Sequence, residues 1–483
     1  MTIMSRVVEF FGLTEGNEKV LSLAKTLALL FPAVALTIQL STTFFMIFVA
    51  EALGNGSFID GLTVVGILVV IQMVIQTLLD YPTGAIGDWI GQRYIITAAF
   101  LCFSAGFLMV SFVTSATPIY LLILVYVLLG LGNSQMSGAF NAWFDNNYRV
   151  AMPGDKDRKQ YGVFMGKIGM LFSLIGTFCM IPGSILAVIL GRAWVFQLQA
   201  IMCAAIAIAV MRNVKDFPDV EEAREDRPTL SEYTALLKEG IGFLFSDRFV
   251  TFLLLGGCVV MSVGLVWGEL LLFPMYFSYL IAEVAVSSFR TILFIPGIFW
   301  QERSGVWAKR FEPEKWIPRF RLLQGTGFVF YLAFAAIMYL FPPVAGGAMI
   351  TLTVPLTQIT LLEVPVASVL PIVLIATTFT LTGIFGGLSQ ILTQRVLLDV
   401  VPNRIRNSMY SLSPTIATII AIPQIALFGW LIPLAGFPLT MALCGLISLL
   451  GVMMIRKGLS YPKPTPTDEP GPIVSAPAPV PAE

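Results

Sequence analysis

The stretch Asp80–Arg93 reads DYPTGAIGDWIGQR. It follows about twenty almost uncharged residues, enough for one helical membrane crossing, and a further apolar run opens at Tyr94. Its fourteen positions hold two Asp, one Arg, one Pro and three Gly. Polarity and backbone freedom packed between two oily segments mark a short connection at one face of a bilayer.

The rest of the chain has the composition that such a connection demands. Of its 483 residues 57% are hydrophobic and 12% charged, about half the charged share usual in soluble domains, and mean hydropathy is +0.85. Only a lipid solvent tolerates the apolar surface this creates. Formal net charge is zero, so no global basic field points to nucleic acid. The absence of His removes the commonest metal ligand and a Ser-His-Asp triad. The five Cys (102, 179, 203, 258 and 444) sit singly in apolar runs and read as small buried hydrophobes. Neither a metal nor a cofactor is expected, and no GxxxxGK[ST] supplies an ATP site.

Twelve spans are read, at 27–50, 62–86, 94–113, 119–144, 162–190, 194–211, 249–277, 286–308, 322–341, 369–397, 407–433 and 437–455. Lys and Arg crowd the connections on one face, at Arg93, Arg149–Lys159, Lys215–Arg248, Lys309–Arg321 and Arg404–Arg406, with Arg192 the exception on the other. That bias places both termini in the cytoplasm. The expectation is an all-α polytopic protein of the plasma (inner) membrane. A cytoplasmic segment (1–26), with no cleavable signal, precedes a six-helix bundle (27–212), a cytoplasmic linker (213–248), a second six-helix bundle (249–457) and a Pro-rich disordered tail (458–483). Within the linker, Thr229 and Glu232 fit a capping box that opens a short amphipathic helix. Met349–Val366 alternates Thr with Ile, Leu and Val, a strand period, and reads as an external hairpin or a re-entrant loop.

The two bundles carry traces of a repeat. GAIGDWIGQR at Gly84 ends the second span, and GVWAKRFEPEK at Gly305 ends the eighth. NAWFDNNYR ends the fourth and RVLLDVVPNR the tenth, which makes Asp145 and Asp399 counterparts.

Together these features resemble the major facilitator superfamily of twelve-helix secondary transporters. Its motif G-x-L-A-D-R-x-G-R-K is similar to the run from Gly84 through Gly87, Asp88 and Gly91 to Arg93, with Trp89 and Gln92 replacing two basic residues. The preceding DYPTG, the NAWFDN end of the fourth span and the VPNRIRNSMYS opening of the eleventh are also family-like. The resemblance implies a cytoplasmic gate in which Asp88 caps the start of the eleventh span near Arg406–Ser408 and Arg93 meets Asp145. The glycines would allow close helix approach. It also implies that the first, fourth, seventh and tenth spans line a central cavity.

Ionisable residues inside a membrane are costly and functional by default. Asp80 and Lys167 lie on the same inner side, and are read as pairing with each other or joining the gate, with ion coupling as the alternative. Glu269 and Arg290 are read as an outer-side ion pair; Glu269 would carry a coupling proton or meet a cationic substrate, and the alternative is a static neutralising pair. Glu302 and Arg303 are read as a structural pair. Candidate lining residues are Gln39 and Thr43 in the first span, Asn133, Ser137 and Asn141 in the fourth, and Gln390 and Gln394 in the tenth, each set at helical i+4 spacing.

The function expected is secondary active transport of a small organic solute by alternating access. Protons are the coupling ion that the resemblance implies, and export is one possible direction. Partners are the solute, H+ and the bilayer, with the chain acting as a monomer and binding no nucleic acid. The rivals are an uncoupled transporter-like receptor or lipid scramblase and a membrane-embedded transferase, the last disfavoured by the lack of His.

Overall fold

The computed structural model describes residues 9–13, 17–155, 157–222, 238–344, 346–353, 359–402 and 406–464, with the side chains of 81, 299, 301, 302, 406–408, 410 and 411 outside the description. The N-terminal half contains α1 (Glu18–Gln39), α2 (Phe45–Leu53), α3 (Phe58–Ile90), α4 (Gln92–Val110), α5 (Ile119–Met136), α6 (Ala139–Ala151), α7 (Lys159–Phe178), α8 (Met180–Leu190) and α9 (Arg192–Asn213). The C-terminal half contains α10 (Arg248–Val266), a π-helical turn (Trp267–Leu271), α11 (Leu272–Leu280), α12 (Glu283–Ala308), α13 (Pro313–Leu323) and α14 (Phe328–Leu340). It closes with β1 (Met349–Thr353), β2 (Thr360–Pro365), α15 (Val369–Val400) and α16 (Arg406–Gly458). Most of the expected linker helix and the whole tail from residue 465 fall outside the described residues.

Ten helical segments among the described residues are long and apolar enough to cross a membrane. One of them, Leu412–Gly458, is two helices joined at Gly436, whose φ of +76° is glycine's territory. α12, of 26 residues, is not among the ten. At about 1.5 Å per residue it is still long enough to cross.

The second span runs past the end expected at residue 86. α3 continues unbroken through Pro82, Gly84 and Gly87, so Asp88 lies inside its last turn. Pro82 removes one ladder donor. The Thr83 hydroxyl donates locally to Leu79 O at 2.7 Å and reaches Ser134 O of α5 at 3.2 Å, which ties this turn to its neighbour. The turn itself is Gly91 alone, at φ +109°. Gly84 meets no described atom within 4 Å, so it does not mediate close helix packing among the described residues.

Up-and-down threading puts Asp88, Asp145 and Asp399 on the side that holds the termini. The two strands lie on the opposite, hairpin side. β1 and β2 are antiparallel, with Met349 opposite Pro365 and Leu352 opposite Leu362. Leu362 and Val364 pack on the main core, which makes this segment a hairpin rather than a re-entrant loop.

That main core is continuous across both halves. It joins Phe44, Phe100 and Phe144 of the N-terminal half to Tyr276, Phe289, Phe428 and Met441 of the C-terminal half. A second core, with Leu253, Phe320, Leu392 and Ile455, holds the terminal side of the C-terminal half alone. The halves therefore share apolar packing toward the hairpin side.

Close approach of backbones needs glycine at defined points. A Cβ at Gly256 of α10 would stand 2.7 Å from Gly451 O of α16, whereas one at the adjacent Gly257 would meet nothing within 4 Å. Overpacking of this kind costs about 1–3 kcal/mol. Gly256→Ala is therefore expected to lower the thermal midpoint of the detergent-purified protein by several degrees, with Gly257→Ala leaving it unchanged or slightly raised. Equal midpoints for the two variants would show that this helix contact is not tight.

Candidate functional site

Three of the helices expected to line a cavity are interrupted. The first span breaks at Leu40–Phe44, between α1 and α2. The fourth breaks at Ser137–Gly138, where Gly138 takes φ +72°. The seventh contains the π turn Trp267–Leu271. Irregular backbone at membrane depth survives where it lines a cavity or is buried in protein, and π turns recur at functional sites.

These interruptions converge on one cavity of 240 Å³. Ser41 and Thr42 come from the first break, Asn133 from the last turn before the second, and Gly268 and Glu269 from the π turn. Gln72 of α3 completes the polar wall. Phe45, Phe103, Phe107, Tyr126 and Phe273 supply aromatic surface. Most of the wall belongs to the N-terminal half; Gly268, Glu269 and Phe273 are the contribution of the other half, so the cavity lies between the two. The π turn is anchored by Trp267, which is 6% exposed and makes edge contacts with Tyr276, Phe330, Tyr331 and Phe334.

Glu269 faces this cavity and does not pair with Arg290. The Arg290 guanidinium lies over the Phe379 ring at 5.8 Å, packed against α15. The two side chains leave neighbouring helices in different directions, and the π turn breaks the regular helical phase at Glu269. Among the described residues no cation or hydrogen-bond donor reaches the Glu269 carboxylate.

The other expected lining residues divide. Asn133 lines the cavity. Thr43 is fully buried and its hydroxyl meets Ser184 Oγ at 3.2 Å, so it fastens α8 instead. Gln39 packs against Gly176 of α7. Ser137 and Asn141 are exposed further along the fourth span toward the terminal side. Gln390 accepts from Arg321 Nη2 at 3.2 Å, and Gln394 is exposed one turn on. Thr42, Gln72 and Tyr126 were not singled out in the sequence, although Thr42 and Gln72 are polar interruptions of apolar runs.

On the terminal side the expected gate residues find other partners. Asp88 accepts from Gln92 Nε2 at 3.0 Å. A Cβ on Gly87 would collide with that amide, at 2.6 Å from Gln92 Oε1, so glycine and glutamine act together here. Arg93 donates to the Tyr94 hydroxyl at 2.7 Å and stacks on its ring. Asp145 is held instead by Arg149 at 2.9 Å, one turn along its own helix, and by Arg158 at 2.7 Å. Arg93 and Asp145 therefore do not meet. The partner that the resemblance gives Asp88 near Arg406–Ser408, and the Glu302–Arg303 pair, rest on side chains outside the described residues. Asp80 lies beside Ser137. Lys167 does not pair with it: its ammonium sits 4.8 Å from the Phe10 ring centre. Asp399 is bridged by Lys463 at 2.7 Å.

The hairpin side is tied across the halves. Arg192, at the start of α9, donates through Nη1 to Glu51 of α2 at 2.5 Å and through Nε to Glu283 of α12 at 2.6 Å. Glu51 and Arg192 belong to the N-terminal half and Glu283 to the other. Nearby, Thr63 Oγ1 donates to Gly429 O at 3.2 Å, and Thr291 Oγ1 approaches Thr177 O at 3.4 Å. A Cβ on Gly66 would stand 3.1 Å from Gly429 Cα, so α3 and α16 touch backbone to backbone. Arg192–Glu283, Thr63–Gly429, Thr291–Thr177 and Gly66–Gly429 each cross between the halves on the hairpin side of the cavity.

The connection between α6 and α7 holds a further cluster. Asp155 accepts from the Tyr148 hydroxyl at 2.8 Å and from the Lys159 and Tyr161 backbone N–H groups at 3.0 and 3.1 Å. Desolvation pushes its carboxyl up, but the hydrogen bonds from Tyr161, Tyr148, Lys159 and Gln160 outweigh it and hold the carboxyl below its ordinary value. An unfolded Asp titrates near about 3.9. With a depressed folded value, the stabilisation is full at neutral pH and is lost as pH falls through that value. Asp155→Asn is thus expected to lower the thermal midpoint at neutral pH, with the difference from wild type shrinking below about pH 4. A difference independent of pH would contradict the ionised clamp.

The Major Facilitator Superfamily family model matches residues 29–369. No curated protein matches the chain by sequence. The nucleoside transporter NupG superposes with a TM-score of 0.64 at 11% identity, over 92% of this chain and 100% of its own. A D-xylose-proton symporter gives 0.57 at 13%, over 92% and 98%. A POT family transporter in complex with 5-aminolevulinic acid gives 0.58 at 12%, over 91% and 96%. At these identities the likeness is one of fold.

Proposed function

The chain belongs to the major facilitator superfamily of membrane transporters, and on that premise we propose that it is a proton-coupled secondary transporter exporting a small organic solute by alternating access. One observation carries the reading. A cavity with a lone carboxylate lies between two helical halves, and an ion pair and two hydrogen bonds that join them lie on its hairpin side. Such a cavity opens alternately to the two sides if the halves rock about it.

The contacts suit a reversible closure. Arg192 is 19% exposed at its side chain and its two acids 35% and 15%, so water weakens the attraction without abolishing it. The threonine and glycine contacts add short-range packing that a small rotation undoes. On the other side, among the described residues, Asp145 is held by Arg149 and Arg158 of its own half. This pattern corresponds to a state closed toward the hairpin.

The excess of Lys and Arg on the terminal side supports a cytoplasmic position for that side, with the plasma (inner) membrane as the proposed location. The hairpin is then external, and the cavity faces inward in this state. Glu269 is the group available to take up the coupling proton. One chain supplies the whole cavity, so the working unit is a monomer.

The test is movement against a gradient. Purified protein in liposomes, under an imposed pH gradient, is expected to drive at least one member of a panel of cationic, neutral and anionic solutes uphill. An uncoupler should collapse the movement. Equilibration without uphill movement across the panel would favour an uncoupled receptor or scramblase.

A further inference from the structure

We infer that the cavity takes an organic cation, a small amine with an apolar or aromatic body, whose ammonium group pairs with Glu269. The inference rests on the transporter reading for what the cavity is for, and on the cavity's own chemistry for what it holds.

Two polar groups at this cavity lack partners. The Glu269 carboxylate receives no ion pair or hydrogen bond among the described residues. The Tyr126 hydroxyl, on a side chain only 1% exposed, also has no hydrogen-bond partner. Both residues line the same 240 Å³ space. Glu269 is exposed into the cavity, so its carboxylate, without a protein partner, is presented to whatever the cavity holds. The Tyr126 hydroxyl sits in the wall beside it, and a buried polar group without a partner is costly.

The sign of that ligand follows from the wall. Among the described residues Glu269 is the one charged residue lining the cavity, and no Lys or Arg lines it. Arg290, the nearest candidate by sequence, is engaged on Phe379. An anionic solute would therefore meet a carboxylate and no compensating cation. An ammonium group brings the opposite charge and several N–H donors, which a carboxylate accepts strongly.

Phe45, Phe103, Phe107 and Phe273 supply apolar surface for the solute's body, and ring faces that attract a desolvated cation. Ser41, Thr42, Gln72 and Asn133 leave room for one or two further polar substituents. The volume lies below the range of roughly 300–1,000 Å³ typical of pockets for drug-sized ligands. It fits one ring and a short amine arm better than a large multi-ring cation.

The test uses three probes of one shape and different charge: phenethylamine, phenethyl alcohol and phenylacetate. Each is titrated at pH 8 against the full-length purified protein, with thermal stabilisation and equilibrium binding as readouts. The amine is expected to stabilise the wild type, while the alcohol and the acid do so weakly or not at all. Glu269→Gln should weaken amine binding roughly 30-fold or more, as expected when one partner of a buried charge pair is removed. Glu269→Asp should retain part of it. Tyr126→Phe should cost the amine roughly fivefold, the scale of one hydrogen bond, with unliganded stability as the control for folding. Equal binding of alcohol and amine, binding of phenylacetate above the amine, or undiminished amine binding by Glu269→Gln would each overturn the inference. The comparison of the three probes on wild type stands even if a variant fails to fold. If the amine binds as described but no pH gradient drives it across liposomes, the coupled-transport reading fails and the cation site stands. If only neutral or anionic solutes move uphill, the transporter stands and the cation site falls.

Discussion

The Arg192 guanidinium, shared between Glu51 and Glu283, is the charged tie between the two halves on which the proposed closure rests. It joins the two halves at the hairpin side, where the main apolar core also runs from one half into the other. Two carboxylates on one guanidinium leave the cluster with a net negative charge, so it never becomes an inert neutral pair. Charge-assisted hydrogen bonds from two different nitrogens give it geometric definition, and partial hydration keeps it breakable. Around it, Thr63, Thr291 and the Gly66–Gly429 approach turn a single tie into a seam.

Beneath that seam the cavity exists because its lining helices are imperfect. A regular helix satisfies its own backbone and offers a bilayer-embedded solute only side chains. The first and fourth spans are interrupted and the seventh contains a π turn, and these sites deliver Ser41, Thr42, Gly268 and Glu269 to one space. Trp267 shows how the π turn is paid for: its ring is buried against four aromatic neighbours, which fixes the turn while Glu269 remains turned to the cavity. Closure at one side and irregularity at mid-depth thus serve the same site.

Much of this architecture was legible in the sequence, because bilayer solvation dictates it. Span length, the crowding of Lys and Arg on alternate connections, and the Gly84–Arg93 motif pointed to the family. Arg192 stood out as the one basic residue on the wrong side, and the structure accounts for it through Glu51 and Glu283. The choice of partners was not legible. Arg93 goes to Tyr94 rather than Asp145 because a nearer ring and hydroxyl are available, while Arg149 and Arg158 already occupy Asp145. Lys167 rests on Phe10, and Arg290 on Phe379, as long cationic side chains find aromatic faces that a residue count along a helix does not reveal. Polar stripes suffered similarly: Asn133 faces the cavity, whereas Thr43 faces Ser184, because a hydroxyl serves helix packing as readily as solute contact. The π turn leaves no composition signal, and Glu269 lines the cavity rather than pairing with Arg290.

The central claim is that the seam held by Arg192 opens and closes while the cavity stays between the halves. The most direct measurement places spin labels at Asp60→Cys and Leu434→Cys, on opposite halves near the Gly66–Gly429 approach, and reads their separation by double electron–electron resonance in lipid nanodiscs. Cys102, the least buried native thiol, is replaced by Ser. The account predicts a dominant short distance in this background and a second, longer population once Arg192→Gln is added. An identical single distribution with and without Arg192 would contradict it.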